Sequence, residues 1–173
     1  MIRLALAFAL TLTASPMLAQ ETPDGMTPGR LLDILLALDP ETQPAGNGVA
    51  LTIEGVPMLV VVDPLADRMR AMVSIRSVEG MSAEDLERVM QANFDTALDA
   101  RYAVANGRLW GVYIHPLSPL RDEQLISGIG QTVNLALTYG SLFTGGALSY
   151  GGGDSAPLQR ELIDRLLKKG QDI

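Results

Sequence analysis

The chain has 173 residues, and its 13 Lys and Arg against 20 Asp and Glu give a formal net charge of −7. The absence of cysteine excludes disulfides, zinc–thiolate sites and iron–sulfur clusters. An acidic balance also opposes binding to phosphate backbones, which requires clustered cations, so nucleic acid is not a predicted ligand. The length and a hydrophobic content of 47% suit one domain with its own core.

The first 20 residues have the pattern of a secretory signal peptide. Arg3 precedes an apolar run over residues 4–12, which is followed by Ser15, Pro16 and then Ala19. We expect cleavage near Ala19 or Gln20 and a periplasmic or secreted mature protein. No other stretch approaches the roughly 20 unbroken apolar residues of a membrane helix, so no span is expected after cleavage.

The first half of the mature chain predicts one helix followed by three strands. Thr27-Pro28 is a cap-then-proline helix start, and Asp39-Pro40 ends that helix because proline disfavours helical geometry in the residue before it. Residues 41–48 contain proline, asparagine and two glycines, which favours a loop. Alternating or continuous apolar residues then indicate strands over residues 49–53, 57–62 and 69–78, the second of which is apolar on both sides and therefore predicted to be central.

The second half predicts a helix, a hairpin and a longer helix. Ser82 and Asp85 form a capping-box pattern that opens the second helix. Asn106-Gly107 favours a type I′ turn between two short strands. Ser118 and Pro119 then indicate the start of a helix whose apolar stripe runs to Leu137.

The fold class predicted from this order is α+β. We expect residues 21–140 to form an antiparallel sheet of about five strands with helices on one face, in the order α-β-β-β-α-β-β-α. A Gly-rich segment over residues 141–155 is expected to be irregular or flexible. Residues 156–169 are predicted to form a C-terminal amphipathic helix that needs a groove, in its own chain or in a partner.

Three segments resemble the type III secretion chaperone-like family, which includes the Tir-chaperone and YbjN-like proteins. They are EDLERVMQANF in the second helix, AVANGRLWGVYIHPL in the hairpin and LRDEQLISGIGQTV in the third helix. The resemblance covers residues 27–140 and rests on Asn93, Gly107 and the strand from Leu109 to Leu117. It implies an acidic helix and sheet domain that forms homodimers and binds polypeptide, without catalysis or a cofactor. The signal peptide and the Gly-rich segment depart from the family's pattern and indicate an exported variant.

His115 is the single histidine and the main candidate for chemistry. It ends a strand before Pro116, where it could act as a general base or metal ligand, but the sequence fixes no nucleophile or orienting carboxylate beside it. One histidine and scattered acids also do not form a metal-ligand cluster. The enzyme alternative is therefore a small hydrolase or ligand-binding protein that uses His115 near Tyr113 and Asp122.

Methionine, tryptophan and the C-terminal apolar stripe are the candidates for binding. Methionine suits adaptable apolar surfaces, whereas Met69 and Met90 lie at positions that the pattern directs inward. Tryptophan is typical both of cores and of interface anchors. The candidate partner-binding residues are Met58, Met72, Trp110, Leu158, Leu162 and Leu166.

The leading hypothesis is an exported, non-enzymatic, chaperone-like module without a cofactor, which self-associates and binds a polypeptide partner in the cell envelope. The first alternative is the enzyme or ligand-binding protein based on His115. The second is a structural subunit of an envelope complex, docked through the C-terminal helix.

Overall fold

The computed structural model describes residues 25–95, 98–139 and 156–170, without the side chains of 95 and 156–158. The predicted signal peptide and the whole Gly-rich segment, residues 141–155, lie outside the described residues. The elements are α1 (Pro28–Leu38), β1 (Gln43–Ala45), β2 (Gly48–Ile53), β3 (Val56–Asp63), β4 (Arg68–Ser77), α2 (Ala83–Asp95), β5 (Arg101–Ala105), β6 (Arg108–Pro116), α3 (Asp122–Leu137) and α4 (Ala156–Gly170). The predicted α+β class is confirmed.

The strands form one antiparallel sheet in the order β1-β2-β3-β4-β6-β5. The continuously apolar β3 is an interior strand, as predicted. The sheet has six strands rather than about five, because β1 falls in the segment expected to be a loop. β1 has three residues and pairs with β2 across a turn at Gly46, whose φ of +61° favours glycine. Because the strand is so short and lies next to this turn, the composition of the segment resembles that of a loop.

Alternation along the strands places the core on one side of the sheet, which we call the inner face. Val60, Ala71 and Val73 are fully buried there, beneath the helices. Tyr113 on β6 packs against α3 at Gly128, where an added Cβ would lie 2.7 Å from the Cζ of the ring. The inner-face core therefore requires close contact between α3 and the sheet.

The local signals read from the hairpin and from α2 are confirmed. Asn106 and Gly107 both have positive φ angles, +51° and +70°, as a type I′ turn requires. The backbone N–H of Asp85 donates to the hydroxyl of Ser82 (3.1 Å), and the Ser82 N–H donates to the Asp85 carboxylate (2.9 Å). These hydrogen bonds hold the pKa of Asp85 below its usual range.

The start of α3 differs from the prediction. The helix begins at Asp122, with Arg121 as its N-cap residue, instead of at Ser118 and Pro119. Ser118 is used elsewhere: its N–H and its hydroxyl donate to the Asp67 carboxylate at 2.7 and 2.9 Å. This tertiary contact between the β3–β4 turn and the segment after β6 competes with the local capping role and prevails.

The predicted C-terminal helix is α4, and it packs on α3 and α1 of its own chain. Leu162 and Leu166 are buried, and an added Cβ at Gly130 of α3 would lie 2.9 Å from the Cγ1 of Ile163. The Lys169 ammonium donates to the carbonyl of Leu38 at the end of α1 (2.5 Å). None of the described helices is long and apolar enough to cross a membrane.

Candidate functional site

The opposite side of the sheet, which we call the outer face, carries a second set of apolar side chains. In the described part of the chain, α1, α3 and α4 pack on the inner face, and no described helix covers the outer one. Its apolar residues are half-buried or, in the case of Ile114, 53% exposed. They are Leu59 and Val61 on β3, Met72 on β4, and Trp110, Val112 and Ile114 on β6.

Strand register brings these side chains into contiguous rows. Leu59 is opposite Met72, and Met72 is opposite Val112. In the neighbouring row, Arg70 lies between Val61 and Ile114. Cross-strand neighbours on one face have Cβ atoms about 4.5–5.5 Å apart, so the rows form one continuous surface. A groove of about 610 Å³ runs over this surface along β3, β4 and β6.

The outer face carries four exposed arginines in a protein whose net charge is −7. They are Arg68, Arg70, Arg101 and Arg108. Within the described residues none of them forms a salt bridge with a carboxylate. Three of them donate to uncharged oxygens, such as the Ser74 hydroxyl that accepts from Arg108 at 2.5 Å. The outer face is therefore apolar and carries more positive than negative charge, with Asp63, opposite Arg68, as a carboxylate that also lines the groove.

The two edges of the sheet are protected against strand addition. On one side, the Asn93 amide of α2 occupies the edge of β5: its Nδ2 donates to the carbonyl of Tyr102 (3.0 Å), and its Oδ1 accepts from the N–H of Tyr102 (2.7 Å). On the other side, β1 is only three residues long and contains Pro44. Short strands, proline and side-chain caps are the usual ways to block edge pairing. A partner is therefore expected to contact the outer face of the sheet and not its edges.

The structure places the six candidate binding residues in different environments. Met72 and Trp110 lie on the outer face, and the Trp110 indole donates to the Ala105 carbonyl (3.0 Å). Met58 is a correction: only 3% of it is exposed, because the alternation of β3 directs it into the core. Leu162 and Leu166 are also corrections, since each is 4% exposed and covered by its own chain. The Leu158 side chain lies outside the described residues.

Met90, which the helical pattern directs inward, is instead exposed in the structure. Met69 is buried as predicted, but Met90 is 49% exposed, and Phe94 and Leu98 are 67% and 55% exposed. Val89 and Ala92 take the inward positions of α2, next to the edge of β5. α2 therefore exposes Met90 and Phe94, and Leu98 is exposed a few residues after the helix ends.

A second, polar cavity of about 500 Å³ surrounds His115, and we call it the His115 cavity. The pairing of β6 with β5 ends at Val112, whereas its pairing with β4 continues to Pro116, so one edge of β6 is open here. The first turn of α3, one side of α4 and the residues before β5 close around this edge. Asp99, Arg101, Tyr113, Arg121, Glu123, Gln124, Ser127, Ile163 and Leu167 are among the residues that line it.

Within this cavity the imidazole of His115 is held by its own strand. Its Nδ1 lies 2.7 Å from the carbonyl of Pro116, an oxygen that can only accept, so Nδ1 carries the hydrogen. The ring stacks on Tyr113 with centroids 5.9 Å apart. Burial, together with the nearby charge of Asp99, raises the pKa of the Tyr113 hydroxyl to about 12, so it remains protonated near neutral pH.

The constellation considered from the sequence is brought together only in part. His115 meets Tyr113, but Asp122 pairs with Arg30 instead (2.6 Å). No carboxylate among the described residues forms a hydrogen bond with the imidazole. The described residues also contain no group of three or more acidic or histidine side chains that could hold a metal ion. The arrangement thus offers charges and hydrogen bonds without an oriented base.

The sequence reasoning missed two parts of these sites. The arginines of β4 can be read from the sequence, but their position beside apolar residues of β3 and β6 depends on pairing between distant segments. Asp99 and Gln131, which are linked in the wall of the His115 cavity, are 32 residues apart. No local pattern indicates such a contact.

No family model matches the sequence, and no curated protein matches it. Among solved structures, the fold is similar to that of the type III secretion chaperone SycH of Yersinia pestis, determined in complex with a stable fragment of YscM2. The identity is 18%, the TM-score is 0.48, and the match covers 64% of this chain and 96% of that one. It is also similar to a chain of the HopA1–SchA chaperone–effector complex, at 12% identity and a TM-score of 0.46, covering 65% of this chain and 97% of that one.

These likenesses concern the fold.

Proposed function

We propose that the protein is a chaperone-like binding module that holds a polypeptide segment on its outer face and acts by contact, without catalysis. The observation that carries the proposal is the combination of a continuous apolar surface and four arginines without carboxylate partners on one uncovered face. Exposed apolar patches bounded by charge are typical of protein interaction sites.

The charge of the outer face defines the partner chemistry. An acidic segment would place carboxylates beside Arg68 and Arg70 and apolar side chains over Met72 and Leu59. Arginine binds carboxylates through paired hydrogen bonds, and complementary charge raises both the specificity and the rate of association. We therefore expect the bound polypeptide to combine Asp or Glu with large apolar residues.

The proposal includes self-association, which the family resemblance implies. If the predicted signal peptide functions, this module works outside the cytoplasm, in the envelope.

A peptide-binding measurement tests the partner chemistry. Fluorescence anisotropy of the full chain is measured with a labelled 20-residue peptide that alternates Glu with Leu and Phe, and with the matched peptide in which Lys replaces Glu. We expect the acidic peptide to bind at least about tenfold more tightly and to lose affinity in 1 M salt, where the screening length falls to about 3 Å.

Variants locate the site. Arg70→Glu and Met72→Ala should each weaken binding of the acidic peptide, whereas Arg160→Glu on exposed α4 should not. Binding that is unchanged by Arg70→Glu would exclude the outer face. If the chain alone forms a dimer that Arg70→Glu dissociates, a second copy occupies the outer face, and the proposal of a separate polypeptide is wrong.

A further inference from the structure

The geometry of the His115 cavity points to a second binding site, for a small zwitterion with an apolar side chain, such as a free amino acid or a short peptide with free termini. The cavity adjoins the outer face, because Ile114 lines both the cavity and the groove and Arg101 belongs to both surfaces. Its other charged groups are distinct from those of the groove, so the inference does not depend on the proposed function. Its volume of about 500 Å³ lies within the range of roughly 300–1,000 Å³ that is typical of small-ligand sites.

The ionisable groups of the cavity balance each other. Arg101 and Arg121 provide two positive charges, and Asp99 and Glu123 provide two negative ones. None of the four forms a salt bridge within the described residues. A ligand with a single charge would be attracted by the pair of opposite charge and repelled by the pair of like charge. A zwitterion satisfies both, because its carboxylate pairs with guanidinium groups and its ammonium pairs with carboxylates.

The acidic side of the cavity is positioned before any ligand arrives. Gln131, which is almost fully buried, accepts the backbone N–H groups of Asp99 (2.7 Å) and Ala100 (3.0 Å) through its Oε1. Its Nε2 donates to the Asp99 carboxylate (3.3 Å) and to the Ser127 hydroxyl (3.2 Å). A side chain held in this way loses little conformational entropy when a ligand binds, which favours affinity.

His115 adds an acceptor of defined character. Because Nδ1–H is directed to the Pro116 carbonyl, the neutral ring keeps Nε2 as an acceptor, and Nε2 has no hydrogen-bond partner in the described residues. An α-ammonium group offers three donors and suits such a nitrogen. The imidazole thus complements the carboxylates without acting on the ligand chemically.

α4 provides the apolar part of the site. Ile163 and Leu167 line the cavity opposite the polar groups and are half-buried, so part of their surface remains available to a ligand. A leucine-like side chain placed against them would remove apolar surface from water on both sides. The site is therefore expected to prefer apolar zwitterions over glycine.

Isothermal titration calorimetry of the full chain tests this inference with three probes: leucine, dileucine, and dileucine that is N-acetylated and C-amidated. We expect at least one of the two free zwitterions to bind, with the stronger one identifying whether the site takes an amino acid or a short peptide. The capped dipeptide should bind at least about tenfold more weakly, since it lacks both charges.

Variants with conserved shape complete the test. Glu123→Gln and Arg121→Gln should each weaken binding of the better probe by about tenfold or more, while Arg88→Gln, on exposed α2 and outside the cavity lining, should leave it unchanged. Circular dichroism melting establishes that each variant is folded. Absence of heat with both zwitterions, equal binding of the capped dipeptide, or unchanged binding by folded Glu123→Gln and Arg121→Gln would each overturn the inference. None of these results bears on acidic-peptide binding at the outer face.

Discussion

The two faces of the sheet are built from the same strands but differ in how deeply their side chains are buried. On the inner face, side chains such as Met69 and Val60 are at most 1% exposed and pack beneath α1, α3 and α4. On the outer face, their sequence neighbours Arg70 and Val61 remain accessible. A strand that is apolar on both sides thus does not require two layers of helices. The uncovered side, with its arginines, is a surface on which a partner can replace the missing layer.

The largest expected effect comes from exchanging the same residue type on the two faces of β4. Met69→Ala should lower the free energy of unfolding by about 2–5 kcal/mol, because it leaves a cavity in the core. Met72→Ala should cost less than about 1 kcal/mol, since Met72 is already half-accessible to solvent. Urea unfolding followed by circular dichroism measures both values.

Peptide binding should show the reverse order. Met72→Ala should weaken binding of the acidic peptide, whereas Met69→Ala, measured where it is still folded, should retain it. Equal losses of stability at the two positions would mean that the outer face is covered in solution, and the contrast between the two faces would then fail.

A smaller effect is expected where the inner face meets α3. Gly128→Ala places a methyl group against the ring of Tyr113, which is itself buried, so ring or helix must shift. Such overpacking typically costs about 1–3 kcal/mol.

Gly29→Ala in α1 is the matched control, because the atom nearest to the added Cβ is the Thr27 hydroxyl oxygen at 3.9 Å. It should be neutral or stabilising by up to about 1 kcal/mol, as expected when alanine replaces glycine in a helix. Thermal melting measures both variants. Equal shifts of the two melting midpoints would contradict the expected difference between Gly128→Ala and Gly29→Ala.

Local chemistry was sufficient to predict most elements of the fold. The turn at Asn106-Gly107 and the capping box at Ser82 depend on residues within a few positions of one another, and both are found as expected. The start of α3 was not predictable in the same way. Ser118 has the side chain of an N-cap, but Asp67, 51 residues away, accepts both of its donors. Sequence patterns describe what a residue can do locally and contain no information about a distant competitor.

The candidate sites were less predictable than the fold for a related reason. Met58 and Met72 were both predicted to bind a partner, but only Met72 lies on the outer face, whereas Met58 lies in the core. β3 is apolar at nearly every position, so its pattern cannot distinguish its two faces. The register with β4 decides this, since Met58 is opposite the buried Val73. The same register brings the arginines and apolar residues of the outer face together.

The pH dependence of stability provides a test of the inner face, through the hydroxyl of Tyr102. It donates to the Leu135 carbonyl of α3 (3.0 Å), and burial, with a contribution from Tyr139, raises the pKa of Tyr102 from 10.0 to about 12. The unfolded chain therefore loses this proton first, so stability should be intact below about pH 10 and fall as the pH rises towards 12. Tyr113, whose pKa is also raised to about 12, adds to the same decline.

Tyr102→Phe should lower the free energy of unfolding by about 1 kcal/mol near neutral pH, through loss of the hydrogen bond. It should also make the alkaline decline shallower than in the unaltered chain, because one of the two buried hydroxyls is gone. Urea unfolding at about pH 8 and at intervals up to about pH 11 measures the slope. An identical slope in both proteins would mean that the hydroxyl is solvated, contrary to its position in the core.

The smallest effect is expected at the exposed link between Asp67 and Ser118, which belongs to neither face. Hydrogen bonds from the Ser118 N–H and hydroxyl hold the pKa of the Asp67 carboxyl below its usual range. The folded state therefore binds this proton less readily than the unfolded chain, and the stabilisation present above about pH 4 should be lost as the pH falls further. Ser118→Ala removes the hydroxyl donor, so it should lower the free energy of unfolding slightly at neutral pH and move the midpoint of acid unfolding slightly upward in pH. Ser77→Ala, which removes an exposed hydroxyl that accepts only the Glu79 N–H, is a suitable control. If both variants shift the acid midpoint equally, the Asp67 carboxylate does not contribute through Ser118, and its link between the turn and the α3 segment is without energetic consequence.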